Sequence, residues 1–311
     1  MPHNKKKIQR SRVLASLRFL AQARVWRVTG IVGTTSCMII FSRNPSWPTP
    51  DKILVFLTFV FMMFGQAVSM LKRFLPFVGL LLVYESFRGF ADKLNTNVNY
   101  LWMPAADRWL FGSLPTAWLQ NYWWNGQVQW YDFAFYIFYM LHFIFPLGLA
   151  LLVWKKRAHY YWQYVTNYVV LSFAGFITYV AFPAAPPWLA SDKKLIEPIT
   201  RVSSDVWAAL GIQDFPSLYN KISPNPVAAV PSLHAAYATL LVLVVHRLFG
   251  WKWALLSVIY PFMIYAGTVY QGEHYAIDAI LGILYALVTY VVVDVLFFRF
   301  RGRKIPKKSP R

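Results

Sequence analysis

Residues 274–298 read HYAIDAILGILYALVTYVVVDVLFF. Beyond Tyr275 the run is almost wholly apolar and exceeds the ~20 residues an α-helix needs to cross a bilayer. Two ionisable side chains stand at its mouth, His274 and Asp278. Four residues apart on a helix, they share one face, one turn apart. A carboxylate bonded to one ring nitrogen fixes the imidazole tautomer and leaves the other nitrogen as a nucleophile. Ionisable groups at a membrane edge are costly, so they point to function. Alone, the pair reads equally well as a buried strut between two helices. The helix start also offers backbone N–H groups and a positive dipole end, both suited to a phosphate.

Forty residues upstream, Pro231-Ser232-Leu233-His234 opens another apolar run. Pro231 and Ser232 mark a helix start, with Ser232 a candidate cap. A protonated imidazole at His234 can hold a phosphate oxygen or protonate a leaving alkoxide. The competing reading is an interfacial histidine that only solvates the helix mouth.

The composition places these runs in a membrane protein. The 311 residues are 58% hydrophobic and 19% aromatic, too apolar for an ordinary soluble enzyme. Hydropathy predicts an all-α, polytopic helical membrane protein with about eight spans. They fall at roughly 25–42, 53–71, 74–91, 130–153, 161–182, 232–248, 251–270 and 275–298. The first is the weakest, being short and interrupted by Gly30, Gly33, Thr34, Thr35 and Ser36.

The net charge of +19 raises nucleic-acid binding, but the distribution argues against it. With the N-terminus inside and eight spans, the inner segments hold 22 of the 31 Lys and Arg and no Asp or Glu. That is the positive-inside pattern, with basic termini on anionic lipid. The segment 1–27 reads as an uncleaved basic cytoplasmic or interfacial helix. Residues 28–73 read as N-terminal membrane helices, 74–298 as the catalytic membrane domain, and 299–311 as a basic cytoplasmic tail. The same parity brings His234, His274, Asp278 and the end of 74–91 to one face, extracytoplasmic or lumenal. The membrane is expected to be the cell membrane.

Two long outer segments remain. Residues 92–129 carry five tryptophans, which suits short interfacial helices. Residues 183–230, rich in proline, suit a lid or vestibule. With Cys37 the only cysteine, an intrachain disulfide and a cysteine-based metal site are excluded. No carboxylate cluster of the kind that binds magnesium is visible. No cofactor or metal is expected, and the oligomeric state is not readable.

The paired elements resemble the phosphatidic-acid-phosphatase type 2 superfamily. Its P-S-G-H-like and H-x-x-x-D elements correspond to Pro231–His234 and to His274 with Asp278. The closer resemblance is to the inositolphosphotransferase branch, which has P-S-L-H and an F-P-x-x-P-P-W element. The latter appears here as Phe182-Pro183-Ala184-Ala185-Pro186-Pro187-Trp188. The resemblance covers roughly 74–298 and implies a six-helix core and a two-step transfer. His274 would attack phosphorus, Asp278 would orient it, and His234 would protonate the departing group and then activate the acceptor.

Departures from the pattern leave the phosphate without its usual clamps. The chain has no Arg-Pro pair, and Gly267 and Thr268 stand where the family has Ser-Arg. A phosphate in transit needs cationic donors. Arg88 is the leading substitute for substrate binding, alongside Ser232. Its competing role is a snorkelling arginine or a partner of Glu85 or Asp92. Lys93 and Arg201 are weaker candidates. His142 can reach the site, although an interhelical hydrogen bond is the favoured reading.

Membrane lipids are therefore the expected substrates. A lipid phosphotransferase of the inositol phosphorylceramide synthase type is favoured. A lipid-phosphate phosphatase, acting on phosphatidic acid or polyprenyl phosphate with water as acceptor, would use the same residues. A haem carrier or transporter fits poorly, because His234 and His246 lie near opposite ends of one run and His142 has no evident partner at its depth.

Overall fold

The computed structural model describes residues 2–43, 49–211 and 225–300, with side chains placed from 22 to 296. Its regular elements are helices. They are α1 (Pro2–Arg43), α2 (Pro50–Met63), α3 (Ala67–Arg88), α4 (Ala91–Leu94), α5 (Trp102–Phe111), α6 (Pro115–Trp123), α7 (Trp130–Met140) and α8 (Phe145–Arg157). They continue as α9 (Tyr161–Ala181), α10 (Pro187–Asp192), α11 (Val202–Leu210), α12 (Leu233–Phe249), α13 (Trp251–Ser257), α14 (Ile259–Tyr270) and α15 (Ala276–Phe300). The chain divides into two compact units, one built on residues up to Gly79 and one from Leu80 onward.

In the first unit, α1 packs against α2. A Cβ at Gly30 would lie 2.7 Å from Met63 N, and one at Gly33 would lie 2.2 Å from the Phe59 ring. The small residues that weaken the first span as a hydropathy signal are thus where the two helices close up. Residues 2–27 are helical and run without a break into the span. The tail from 301 to 311 lies outside the described residues.

Five helical segments are long and apolar enough to cross a membrane: Gln22–Arg43, Ala67–Leu94, Phe145–Ala181, Trp251–Tyr270 and Ala276–Leu296. Leu233–Phe249 is apolar but shorter. The expectation of eight spans differs for physical reasons. The predicted 53–71 run is broken after Met63, leaving α2 with 14 residues, about 21 Å long against a hydrocarbon core of about 30 Å. The predicted 130–153 run is divided by a 3-10 turn at Leu141–Phe143. Conversely, Phe145–Ala181 folds back on itself at Ala158–Tyr160. The Tyr164 hydroxyl donates to the Pro146 carbonyl at 2.8 Å, whereas 18 residues along a straight helix span about 27 Å. So α8 and α9 are adjacent and antiparallel, with the expected reversal between them.

In the second unit, α15 packs on α12 and α9. The Ser232 N–H donates to the Asp278 carbonyl at 3.0 Å. A Cβ at Gly282 would lie 2.3 Å from the Ser232 carbonyl oxygen. That neighbour is backbone and cannot rotate away. Gly282→Ala is therefore expected to push α12 and α15 apart, costing about 1–3 kcal/mol as an overpacked contact. A thermal unfolding midpoint in detergent equal to the wild type's would show that the helices need no such approach.

The two outer segments form a small core of their own. Residues 92–129 fold as the short helices α4, α5 and α6, and α5 ends at Gly112 in the left-handed region, φ 75°. The Phe182–Trp188 element is extended at Ala184, which bridges in parallel to Asn99 on one side and Ala228 on the other. Met103, Leu114, Ala184, Ile199, Ala229, Val230 and Tyr275 are buried together. The Pro-Trp element is thus a brace beneath the segment that leads into Pro231–His234.

Candidate active site

The sequence elements converge as their spacing predicts. Ser232 caps α12, its hydroxyl accepting from the Ala235 N–H at 3.3 Å. This places His234 in the first turn. Gly272, at φ 79°, turns the chain out of α14, and the Glu273 and His274 N–H groups both donate to the Thr268 carbonyl. His274 is thereby fixed just ahead of α15, with Asp278 in that helix's first turn.

The two imidazoles meet directly, His234 Nδ1 lying 3.3 Å from His274 Nε2. On the far side of the second ring, His274 Nδ1 is 3.4 Å from Asp278 Oδ2. That is ion-pair range but longer than a formed hydrogen bond. Asp278 Oδ2 accepts from the Tyr275 N–H at 2.9 Å, while Asp278 Oδ1 and His274 Nδ1 are buried without a hydrogen-bond partner. A small ring rotation would join them, and catalytic hydrogen bonds are often long before substrate binds. With Nδ1 protonated toward Asp278, His274 Nε2 carries the lone pair. The hydrogen between the rings is then His234's.

His142 was not counted among the site residues from sequence, and the structure brings it there. Its ring centroid lies 4.5 Å from that of His234, and Tyr139 stacks on the other partner face at 4.4 Å. The favoured expectation of an interhelical hydrogen bond is not met, since His142 Nδ1 is buried and unpartnered. The 3-10 turn at Leu141–Phe143 sets His142 level with His234. The hydropathy window passed over that break and placed the residue deep in a span.

The candidate cations fall in different places. Arg88, in the last turn of α3, pairs through Nε with Glu85 at 2.8 Å. It is also close enough for its charge to act on both His142 and His234. The Asn225 side-chain amide donates to the Arg88 carbonyl at 2.7 Å, holding this helix end to the segment leading into His234. Arg201 lies 4.4 Å over the Trp188 ring and pairs with both oxygens of Glu273, beside His274 in sequence. Lys93 lies over the Phe90 ring. Gly267 has no room for a longer residue, since a Cβ there would lie 2.8 Å from the Phe135 ring. Thr268 is fully buried and donates to the Ile264 carbonyl. These two positions therefore carry no clamp.

Ser232 is fully buried; its hydroxyl oxygen accepts as a cap, which uses one lone pair and not its O–H. One expectation changes. The N–H groups at the start of α15 are not available to a phosphate. Tyr275 N–H goes to Asp278, and Ala276 and Ile277 N–H go to the two oxygens of Asp107, at 2.9 and 2.8 Å. Carboxylates have taken the anion position that the helix start offers. Asp107 gave no sequence signal, because it lies 167 residues before His274 in a segment read only as interfacial.

At the opposite ends of the helices, Arg247 pairs with Asp294, and Gln163 donates to the same carboxylate. Among the described residues no group of three or more His, Cys, Asp or Glu could hold a metal ion.

The fold and site describe a helical membrane protein with two histidines in contact and a carboxylate behind one of them. The PAP2 superfamily profile matches residues 101–292, more than half of the chain, and the chain belongs to that superfamily. It is similar to a phosphoinositol dihydroceramide synthase from Bacteroides thetaiotaomicron, at 33% identity over 177 residues. The match covers 53% of this chain and 56% of that protein, so the chain spans little more than half the relative's length. No solved structure matches the chain.

Proposed function

We propose that this protein is a lipid phosphotransferase that moves a phospho-headgroup from a donor lipid to an acceptor alcohol through a phosphohistidine. The observation that carries the reading is the 3.3 Å contact between His234 Nδ1 and His274 Nε2, with Asp278 behind the second ring. A phosphoryl group entering between the rings meets a lone pair on one side and an N–H on the other. In the first step His274 Nε2 attacks phosphorus and the P–O bond to the donor's glycerol oxygen breaks. That oxygen takes the proton from His234 and leaves as a neutral alcohol. In the second step the acceptor hydroxyl gives its proton to His234, its oxygen attacks phosphorus, and the N–P bond breaks.

Asp278 holds His274 in the tautomer that exposes Nε2 and balances the positive charge that forms on attack. Arg88 is the cation assigned to the phosphate oxygens. The reach of its charge to His142 and His234 supports this. Arg88→Ala is expected to lower kcat about 100-fold or more, and Arg88→Lys less, in line with loss of one transition-state donor. Equal kcat for wild type and Arg88→Ala would move that role to another residue, with Arg201 next to test. Ser232 enters as the cap that sets His234's position.

Similarity to the Bacteroides phosphoinositol dihydroceramide synthase favours an inositol-phosphate headgroup and a ceramide-type acceptor. Membership of the PAP2 superfamily supports a lipid phosphate as the group acted upon. The Lys and Arg bias supports cytoplasmic termini on an anionic surface and the site on the opposite face of the cell membrane. The family match over 101–292 falls within a catalytic domain over 74–298. The test uses purified protein in nanodiscs with labelled phosphatidylinositol, phosphatidic acid or polyprenyl phosphate, with and without ceramide or diacylglycerol. A new phospholipid that forms only when acceptor is present supports the transferase. Free phosphate released regardless of acceptor would make the protein a phosphatase.

A further inference from the structure

We propose that Asp107 is a positioning residue for the His274–Asp278 pair, acting from α5 as the cap of α15 and holding it only while ionised. The inference rests on the reaction proposed above. Asp107 is fully buried, and its two oxygens accept from successive main-chain N–H groups, Ala276 at 2.9 Å and Ile277 at 2.8 Å. A helix normally takes its cap from its own chain, at the residue before the first turn. Here the residues at that place are Tyr275 and His274, neither a cap, and the carboxylate comes from a different helix across 169 residues.

That arrangement sets two things at once. It locates the first turn of α15, and with it Asp278, relative to the outer helices. It also supplies a second negative charge at the same helix end, near Asp278. Both oxygens are acceptors only while Asp107 is ionised; protonation turns one into a donor facing an N–H. Burial raises the Asp107 carboxyl to about 6, outweighing the two N–H bonds that lower it, with the Asp278 charge adding to the rise. Its charged and titratable neighbours at α15 are Asp278 and Tyr275, and Tyr275 in turn feels the Arg108–Glu197 pair. A raised carboxyl is ionised above about 6 and loses its charge as the pH falls through that value. The cap, and the alignment it gives, are therefore present at pH 7.5 and fade below about 6.

The experiment compares full-length wild type, Asp107→Asn and Asp107→Glu in nanodiscs from pH 5 to 8. At pH 7.5 Asp107→Asn is expected to lower kcat about 10- to 100-fold, the range found when groups supporting a reacting site are lost, with KM within twofold. The ratio of wild type to Asp107→Asn should fall toward one as the pH drops below 6, because the wild type then loses the same charge. Asp107→Glu should recover part of the rate. A ratio that stays constant with pH, or a kcat equal to wild type, overturns the proposal, since the cap it describes must be lost as Asp107 loses its charge.

A substrate-free measurement separates this proposal from the proposed reaction. In protein labelled with 15N-histidine, the His274 ring signals, assigned by their loss in His274→Ala, should shift in Asp107→Asn. Unchanged His274 signals overturn the proposal even if the enzyme proves active. Shifted signals in a protein that transfers no lipid phosphate support the positioning role and sink the reaction. Should Asp107→Asn fail to fold, the same His274 signals compared at pH 7.5 between wild type and Asp107→Glu decide.

Discussion

His274→Ala is expected to lower the transfer rate on the order of 10,000-fold, the scale seen when an enzyme loses a covalent nucleophile. The argument is geometric. In the site described, His274 Nε2 is the nitrogen that the Asp278 contact leaves open, and it faces the other imidazole at 3.3 Å. Removing the ring removes the attacking lone pair and leaves Asp278 as a buried carboxylate with only the Tyr275 N–H at Oδ2. The variant should also fail to retain label when donor carrying 32P is added without acceptor and the reaction is quenched in alkali, where phosphohistidine survives. A rate within tenfold of wild type would place the nucleophile elsewhere, and an inactive variant with undiminished label would mean another residue carries the phosphoryl group.

His234→Ala should cost about 100- to 10,000-fold with a lipid donor, the usual span for loss of a general acid. The loss should shrink strongly with a donor whose leaving group is a nitrophenol, since that oxygen leaves without a proton. The same variant lacks the base for the second step, so with such a donor it should accumulate labelled His274. This combination separates His234 from a residue that merely lines the site. A loss equal for alkyl and aryl leaving groups would deny it the proton-transfer role. His142 is the control, because its ring touches His234 but has no direct contact to His274 in the structure. Its replacement should change both donors alike.

Why the fold was legible and parts of the site were not can be seen in particular residues. Apolar run length located α12, α14 and α15, because a helix in lipid must keep its surface apolar along its whole length. The same measure did not see the breaks within 53–71 and 130–153, where a turn too short to dilute the average interrupts the helix. His274 and Asp278 were legible because a four-residue separation on a helix is itself a statement of geometry. Ser232 was legible as a cap for a similar reason, and that role engages its hydroxyl oxygen as an acceptor. Gly30 and Gly33 were visible only as weak points in an apolar run. Their use, like that of Gly282, appears when Met63 N, the Phe59 ring and the Ser232 carbonyl are seen 2.2–2.7 Å from where a Cβ would sit.

Asp107 and His142 mark the boundary. Neither stands near a catalytic element in the chain, and neither belongs to a spacing pattern. By itself the sequence determined the class of protein and the pairing of His274 with Asp278, and it led to the expectation that His234 joins them on one face. These follow from local periodicity and from the energetic penalty of charge in lipid. Only the tertiary structure decided that His234 and His274 touch. It also decided that His142 joins them and that a carboxylate from α5 occupies the helix start offered to a phosphate. Those contacts join residues 40 to 170 apart, and such contacts depend on how helices pack, which no local pattern encodes.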